Sequence, residues 1–269
     1  MCTPESNHQL TVFRGSPPKN AYVWSPFVTK LEARLRFSGV PYRLGGGSPR
    51  SAPRGKIPYV EVAGPGPGGE PRTMGDSTLI IRSLVEAGAL PDVNAALPPA
   101  QRAHDLAARA LLEDKVYFYG TREKWCDNYA EMRAHLLASV PWPLQAVAGW
   151  LARRAVSSGL YQQGTARLTD DEVRLLKEEA WDSLNALLTE SVKTSSRQRS
   201  KTNDDDAPFW VLGGYEPTEA DATVYGFIAG ALVCTAAPVT AEIVQSYPTI
   251  IDYAERIHSC YFPDYEKWA

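Results

Sequence analysis

The fold is decided by residues 55–62, which read GKIPYVEV. The run from Tyr59 to Val62 combines aromatic and β-branched residues and predicts a short strand. Pro58 stands directly before this strand, and because proline cannot donate a backbone hydrogen bond it requires a strand start, an edge or a special turn. A cis Ile57–Pro58 bond is one way to build such a turn, with the backbone of Ile57 then free to pair with a bound peptide. A plain strand opener is the alternative.

The segments around this strand complete an alternating α/β pattern. Upstream, Phe27, Leu31 and Leu35 recur every four residues and therefore share one face of a helix. Downstream, the turn-rich stretch AGPGPGGEPR joins two strands and predicts a hairpin. The predicted elements of residues 1–88 are strands at Leu10–Phe13, Tyr42–Leu44, Tyr59–Val62 and Arg72–Gly75, a helix at Pro26–Ser38, and a last helix capped by Asp76 or Ser77.

From Pro98 onward the strand signal disappears and apolar residues recur with a helical period. The first helix of this region is predicted to bury one stripe, formed by Leu106, Ala107, Ala110, Leu111, Tyr117 and Phe118. Two further helices are predicted to start at capping boxes, formed by Thr169 with Glu172 and by Thr218 with Asp221. We therefore expect an α/β domain at 1–88, a linker at 89–97 and an all-helical domain at 98–269.

Residues 191–206, SVKTSSRQRSKTNDDD, interrupt the helical domain. They are polar, almost free of apolar side chains, and change from basic to acidic along the run. Such a composition cannot bury a core, so it predicts a mobile surface insertion. A solvated loop accounts for it fully, and a regulatory or partner-binding role is the alternative.

Composition argues against several classes of protein. The chain has 269 residues with 44% hydrophobic content, a formal net charge of −3 and a pI near 5.9, so it lacks the basic footprint of a nucleic-acid-binding protein. Its four cysteines form no CxxC pair and its four histidines share no ligand spacing. We therefore predict no disulfide framework, no metal site and no histidine base. The sequence shows neither a signal peptide nor a membrane span, which predicts a cytoplasmic protein without a membrane partner.

Two predicted helix starts carry groups that can face a ligand. Ser25 precedes Pro26, the first helical residue, and its ordinary role there is to cap the helix. The same position lies beside the unpaired N–H groups of a helix N-terminus, which favour an anion such as a thiolate. Gly75-Asp76-Ser77 forms the second start. Capping is its ordinary role too, and capture of the amine and carboxylate of an amino-acid-like ligand is the functional alternative.

Taken together, the order and spacing of these segments resemble the glutathione transferase superfamily. The segments that carry the resemblance are VWSPFVTKLEARLRFSGVPYR (23–43), GKIPYVEV (55–62), TMGDSTLIIRSL (73–84) and YEPTEADATVYGFIAGAL (215–232). It covers nearly the whole chain except the insertion, and it implies a thioredoxin-like α/β N-terminal domain, an all-α C-terminal domain and a homodimer. SPFV is similar to the serine-type tau class, whereas residues 45–61 and 111–125 are similar to the failed axon connections and metaxin-related branch. The class stays open.

The resemblance implies an enzyme that adds the sulfur of glutathione, its co-substrate, to a small hydrophobic electrophile, as in detoxification or secondary metabolism. Ser25 is expected to stabilise the thiolate by donating a hydrogen bond, with Tyr22 as a competitor for this role. Because Ser25 stands where glutaredoxins and omega-class members carry Cys, disulfide exchange by the protein itself is disfavoured. A non-catalytic glutathione- or apolar-ligand-binding or scaffold protein of the metaxin-like type is the alternative.

The same resemblance assigns residues to two subsites. The glutathione-binding residues are predicted to be Phe27, Lys56, Ile57, Pro58, Asp76 and Ser77, with Arg54 as an alternative to Lys56. The pocket for the second substrate is predicted to be formed by Tyr22, Tyr117, Tyr119 and Trp125, and packing in the helix core is the alternative for these aromatic residues.

Overall fold

The computed structural model describes residues 10–15, 19–64, 69–138, 140–199 and 207–268. Within these residues one mixed sheet is formed by strands at Leu10–Phe13 (β1), Arg43–Gly45 (β2), Tyr59–Val62 (β3) and Arg72–Gly75 (β4). The strand order is β2-β1-β3-β4. β1 runs parallel to β2 and antiparallel to β3, and β3 is antiparallel to β4. The predicted strands and the predicted hairpin are confirmed.

The remaining regular elements are helical. Those of the first domain are Pro26–Phe37 (α1) and Ser77–Glu86 (α2). Those that follow are Pro99–Leu111 (α3), Tyr117–Arg122 (α4), Tyr129–Leu136 (α5), Leu144–Gln163 (α6), Asp170–Arg199 (α7), Glu219–Val233 (α8), Pro238–Gln245 (α9) and Pro248–Tyr261 (α10), with π-helical turns at Leu112–Val116 and Glu123–Asp127 and a 3₁₀ turn at Thr165–Arg167. Leu31 and Ile80 pack α1 and α2 against Val12 and Val60 of the sheet. The predicted fold class, an α/β domain followed by helices, is confirmed.

α8 is buried along most of its length and packs directly on α1. It starts at the predicted capping box, in which the N–H and hydroxyl of Thr218 donate to the Asp221 carboxylate at 2.8 and 2.9 Å. Gly226 allows the two helices to touch, because a Cβ at this position would lie 2.5 Å from the carbonyl oxygen of Pro26. Among the described residues no single helix is long and apolar enough to span a membrane; α8 and α9 meet that test together only as a pair bent by 119°.

Buried charged residues on α1 are paired with the second domain. Lys30 donates to Glu113 at 2.6 Å, and Arg34 donates to Glu219 at 2.6 Å. Both cations are almost completely buried. Because removing one partner of such a pair leaves an uncompensated buried charge, the two pairs hold α1 in one position against the helical domain.

The predicted apolar stripe of the first long helix is wrong. Leu106 is exposed, whereas Asp105 is buried and accepts the N–H of Ala220 at 2.7 Å at the start of α8. The π-helical turns at Leu112–Val116 and Glu123–Asp127 then change the phase of the helix, since each turn holds more residues than an α-helical turn. A single 3.6-residue period therefore cannot describe this segment.

α7 continues into the predicted insertion at 191–206. The helix ends at Arg199, and the hydroxyl of the buried Ser191 donates to the carbonyl of Leu188 at 2.9 Å. Residues 191–199 are thus helical rather than irregular, which agrees with the high helix propensity of Lys, Arg and Gln in this run. Residues 200–206 lie outside the described residues.

Candidate active site

Ser25 stands at the N-terminus of α1, and its hydroxyl has no hydrogen-bond partner among the residues that the structure describes. The residue is the N-cap, with extended backbone angles of −87° and 112°, but its side chain makes no capping hydrogen bond. Pro26 follows at the first helical position, and Ser25 itself is half-buried. A hydroxyl in this place can donate to an anion, and the dipole of α1 adds partial positive charge beside it.

The turn before β3 presents a free stretch of backbone. The Ile57–Pro58 peptide bond is cis, and Pro58 is buried whereas Ile57 is half-buried. Among the described residues, neither the N–H nor the carbonyl of Ile57 has a backbone hydrogen-bond partner. The side chain of Ile57 packs against Gly15, where a Cβ would lie 2.7 Å from Ile57 Cδ1. The backbone of Ile57 is therefore available to an extended ligand.

Asp76 caps α2 from a sparsely populated backbone conformation. Among the described residues, Asp76 is the non-glycine residue with a positive φ, which is +80°. Its Oδ1 accepts the N–H of Leu79 at 3.1 Å. Asp76 is exposed, whereas the adjacent Ser77 is buried. A strained, exposed carboxylate of this kind is a recurrent feature of binding sites.

The sheet brings these turns to one end of the domain. Phe13 at the end of β1 pairs with Tyr59 at the start of β3, and Tyr59 pairs with Gly75 at the end of β4. The turn before Tyr59 and the α2 start after Gly75 therefore lie side by side, at the end from which the chain leaves β1 toward α1. Lys30 joins the first turns of α1 and α2 by donating to Thr78 Oγ1 at 2.7 Å.

Two cations lie near this end of the sheet, and the structure separates their positions. Arg54 runs along Gly75, with its Cγ 3.5 Å from the Cβ that an alanine would add there, so it lies next to the start of α2. Lys56 is exposed, and no hydrogen bond or ion pair fixes its side chain within the described residues. Arg54 is therefore the better-placed partner for a ligand carboxylate that reaches Asp76.

A cleft between the two domains begins at the same helix start. The space among its lining residues measures about 400 Å³, and this figure counts the part that is open to solvent. Its lining residues are Trp24, Pro26, Val116, Tyr117, Gly120, Lys124, Trp181, Phe227, Gly230, Ala231, Cys234, Ala237 and Thr240. Trp24 and Pro26 flank Ser25 in the chain, so Ser25 is adjacent to this cleft although it is not one of the lining residues.

Two aromatic residues that line the cleft pack against further rings, one from each domain. Tyr117 meets the Phe27 ring edge to face with centroids 5.0 Å apart, so Phe27 supports the wall from the first domain. Trp24 stacks on His135 of α5 at a centroid distance of 3.5 Å. Burial lowers the pKa of His135, so its ring is neutral at physiological pH.

The described residues that line the cleft include few polar side chains and none that is acidic. Lys124 is the charged residue among the lining residues, and its ammonium opposes the effect of burial, which raises the pKa of the Cys234 thiol. Trp181 is buried, and its indole N–H has no hydrogen-bond partner among the described residues. The hydroxyl of Thr240 donates to Glu123 at 2.5 Å, so this donor is not available to a ligand. The cleft thus has one cationic residue, Lys124, in its described lining, whereas the Trp181 N–H is enclosed within the protein.

Three of the four residues predicted for the second-substrate pocket do not line this cleft. Tyr117 does, but Tyr119 and Trp125 are buried on other faces of their helical turns. The Tyr22 hydroxyl is in the core, 2.5 Å from the hydroxyl of Tyr225 and 2.7 Å from Nδ1 of His258. Burial raises the pKa of Tyr22, so it is neither exposed nor acidic enough to compete with Ser25.

The sequence does not identify three of the residues that line the cleft, because they lie on three different helical elements and form no motif in the chain. These residues are Lys124, Trp181 and Phe227. Trp24 could have been assigned to the site from the sequence, because it adjoins Ser25 at the predicted helix start. The π-helical turns are a second signal in the structure, because such turns recur at functional sites. Here they flank α4, which carries Tyr117 and Gly120, and the second turn contains Lys124.

Comparisons with known proteins give a consistent result. A family model described as the glutathione S-transferase N-terminal domain matches residues 26–132. The isoprene-epoxide glutathione S-transferase of Rhodococcus sp. (strain AD45) is 25% identical over 265 residues, which cover 94% of this chain and 99% of that protein. Among solved structures, the β-etherase LigF from Sphingobium sp. strain SYK-6 matches with a TM-score of 0.54 and 17% identity, over 93% of this chain and 95% of that one. FzlA from C. crescentus matches with a TM-score of 0.55 and 13% identity, over 95% and 91% of the two chains.

Proposed function

This chain belongs to the glutathione transferase superfamily, and on that premise we propose that it adds the sulfur of glutathione to a small electrophile held in the interdomain cleft. The observation that carries the proposal is the uncommitted hydroxyl of Ser25 at the N-terminus of α1, beside the cleft residues Trp24 and Pro26. Glutathione S-transferase activity is supported by the family match and by the Rhodococcus relative, whose name states that it acts on an epoxide.

Glutathione is expected to lie across the end of the sheet. The free backbone of Ile57, before the buried Pro58, pairs with the cysteinyl unit as an added strand would. Asp76 and Ser77 hold the γ-glutamyl amine and carboxylate, and Arg54 meets the glycyl carboxylate. Phe27 contributes to the wall behind the sulfur. In this pose the sulfur reaches the start of α1, where Ser25 donates to it.

The chemical requirement is a stabilised thiolate. A free thiol with a pKa of about 8.5 is only a few per cent ionised at neutral pH, and lowering that pKa by about two units takes roughly 2.7 kcal/mol. A hydrogen bond to a charged acceptor supplies about 1.5–3 kcal/mol, and a helix N-terminus adds about 0.3–1 kcal/mol. Ser25 and α1 together are therefore sufficient, with Ser25 as a donor and not as a nucleophile.

The reaction is an addition of sulfur to carbon. The thiolate forms a carbon–sulfur bond, and the electron pair of the breaking bond leaves with the displaced group or, for an epoxide, with the ring oxygen. That oxygen takes up a proton from solvent, and the proton released by the thiol returns to solvent. The protein orients the two reactants and lowers the pKa of the thiol.

The cleft also indicates the class of electrophile. Trp24, Tyr117 and Phe227 favour a small, largely apolar or aromatic body. Lys124 favours an acidic or hydrogen-bond-accepting group on that body, because an ammonium forms its strongest hydrogen bonds with anionic acceptors. The same family membership supports a cytoplasmic homodimer as the working form.

The test begins with binding and continues with turnover. A thermal-shift titration with glutathione is expected to raise Tm, and the protein is then assayed with an aryl chloride and with an epoxide, each with glutathione. Ser25→Ala should lose about tenfold to a hundredfold in turnover while still binding glutathione, and Ser25→Thr should retain part of it. Tyr22→Phe is the matched control and should keep full activity. Absence of any shift with glutathione, or activity lost in Tyr22→Phe and kept in Ser25→Ala, would overturn the proposal.

A further inference from the structure

A glycine inside α4 has neither a packing contact nor a backbone angle that requires it. Five glycines lie inside described helices, and Gly149, Gly226 and Gly230 each lie against a neighbouring element that a side chain would touch. Gly120 and Gly159 differ, because no described atom lies within 4 Å of the Cβ that either would carry, and neither has a positive φ. Glycine inside a helix costs stability relative to alanine, so the fold alone disfavours both residues.

These two glycines have different surroundings. Gly159 is exposed on α6, whereas Gly120 is half-buried and lines the interdomain cleft. Tyr117 and Gly120 are three residues apart, Gly120 and Lys124 are four apart, and all three line the cleft, so they form one stripe along this helical segment. Gly120 is therefore a gap between two long side chains, and the open space beside it belongs to the cleft.

The two ends of this stripe differ in chemistry. At the first end, Phe27 meets the rings of Tyr117 and Phe227 edge to face, with centroids 5.0 and 5.6 Å away. At the second end, Lys124 lies near Cys234: burial raises the pKa of the Cys234 thiol, and the charge of Lys124 opposes that rise. Phe227 and Cys234 both belong to the α8 side of the cleft, so α8 follows the stripe from its aromatic end to its cationic end.

Between these ends the cleft is lined by small residues. α8 contributes Gly230 and Ala231 there, and the stripe contributes Gly120. Lys124 follows Tyr117 by seven residues, which at about 1.5 Å per residue separates the two ends by about 10 Å. This length and the absence of large side chains in the middle suit a single flat ring with a substituent at each end.

We propose that Gly120 is a specificity-determining residue, against whose backbone the flat body of the electrophile lies, with an acidic group at Lys124 and the reactive carbon at the aromatic end. The inference rests on the function proposed for the cleft. Phe27 follows Ser25 by two residues, so the aromatic end is the one nearer the start of α1. The substrate class is therefore a planar electrophile whose acidic group and reactive carbon lie at opposite ends of the ring.

A conformational requirement for glycine is the competing explanation, since π-helical turns flank α4 on both sides. Alanine separates the two explanations. If the backbone needs glycine, Gly120→Ala lowers Tm. If the glycine only leaves room for a ligand, Gly120→Ala keeps or raises Tm, as Gly159→Ala should.

The first experiment is steady-state kinetics with saturating glutathione. The electrophiles are a chloronitrobenzoate whose carboxylate lies para to the chlorine and the isomer whose carboxylate lies ortho to it. In both, the thiolate forms a carbon–sulfur bond and chloride leaves with the electron pair of the carbon–chlorine bond. Wild type should prefer the para isomer. KM for this isomer should rise about threefold in Gly120→Ala and more than about tenfold in Gly120→Leu. Gly159→Ala and Gly159→Leu are the matched controls and should behave as wild type does.

The second experiment needs no turnover. Calorimetric titration with meta-nitrobenzoate, which has no leaving group, measures a Kd in the absence of glutathione. Wild type should bind it, and Gly120→Leu should weaken binding by about tenfold while its thermal shift with glutathione stays that of wild type. Binding that depends on residue 120 in a protein without turnover would support the inference and contradict only the function proposed above.

Three results would overturn the inference. The first is an equal Kd for meta-nitrobenzoate in wild type and Gly120→Leu, or no binding by wild type. The second is an equal preference of wild type for the two chloronitrobenzoate isomers. The third is a fall in Tm in Gly120→Ala that Gly159→Ala does not show, which would assign the glycine to the conformation of α4.

Discussion

Lys30 on α1 and Glu113 in the second domain form a buried ion pair of 2.6 Å, and the same ammonium donates to Thr78 Oγ1 on α2 at 2.7 Å. One side chain thus ties both helix starts of the candidate site to the helical domain. The position of Ser25, five residues before Lys30, depends on this contact because both residues belong to the first turns of one rigid helix.

Removing one partner of this pair should destabilise the protein strongly. Lys30 is almost completely buried, so Glu113→Gln leaves an uncompensated charge and should lower the free energy of unfolding by about 3 kcal/mol. The double variant Lys30→Met/Glu113→Gln should lose less than the sum of the two single variants. Urea denaturation of the four proteins measures this, and additive losses would show that the two groups are not coupled.

Gly226 should tolerate no side chain. Gly226→Ala places a Cβ 2.5 Å from the carbonyl oxygen of Pro26, so α1 and α8 must separate, at a cost of about 1–3 kcal/mol. Turnover should fall too, because Pro26 and Ser25 move with α1. Gly159→Ala on α6 is the matched control: nothing lies within 4 Å of its Cβ, and the change should stabilise the helix by up to about 1 kcal/mol. Equal Tm changes for the two variants would contradict the packing described for α8.

Asp76 can be tested without disturbing its structural role. Asn caps helices as well as Asp does and accepts a positive φ, so Asp76→Asn should leave Tm within about 1 °C of wild type. The lost charge should weaken glutathione binding by roughly tenfold to a hundredfold, in line with a charged hydrogen bond of about 1.5–3 kcal/mol. Calorimetric titration with glutathione gives the Kd, and an unchanged Kd would remove Asp76 from the site.

Glu32 should make stability depend on pH. Burial raises the pKa of this carboxyl to about 7, and Arg14, whose Nη2 donates to Glu32 Oε2 at 3.3 Å, opposes the shift only in part. The folded state then holds the proton more tightly than the unfolded state, so this contribution to stability is present below about pH 4.5 and is lost as pH rises through about 7. The urea midpoint of wild type should therefore fall between pH 5 and pH 8 relative to that of Glu32→Gln. Parallel curves for the two proteins would contradict the assignment.

Lys124 should select among electrophiles rather than drive the reaction. Lys124→Met keeps the apolar stem but removes the charge, so KM should rise roughly tenfold for an electrophile that bears a carboxylate and change little for its uncharged analogue. Steady-state kinetics with the two analogues separates this effect from a general loss of activity. If both analogues lose equally, Lys124 has a structural role instead.

The sequence predicts the turns proposed to bind glutathione more completely than the residues that line the interdomain cleft. Ile57, Pro58, Asp76 and Ser77 belong to turns whose chemistry is local, so a short stretch of sequence is enough to identify them. The cleft is assembled from Trp181 and other residues on helices far apart in the chain, and no local pattern records that assembly. The sequence also could not predict that Tyr22 is buried away from the site. Its hydroxyl forms hydrogen bonds with Tyr225 and His258, which are more than two hundred residues away along the chain.

The prediction of the buried helix face in the second domain is wrong at one identifiable point. A single 3.6-residue period places Leu106 and Tyr117 on the same face of one helix. The π-helical turn at Leu112–Val116 lies between the two residues and rotates one relative to the other about the helix axis. In addition, Asp105 is buried to cap the start of α8, which an apolar period cannot anticipate. The sequence pattern could therefore predict the helical class but not which face of this helix is buried.

The ionisation of bound glutathione tests the central claim most directly. Ultraviolet absorbance of the thiolate, followed against pH with glutathione at saturation, reports the pKa of the thiol in the complex. Wild type should show a pKa about two units below the free value of about 8.5, and Ser25→Ala should return it most of the way toward that value. A wild-type pKa that stays near the free value, or one that remains low in Ser25→Ala, would contradict the role assigned to Ser25.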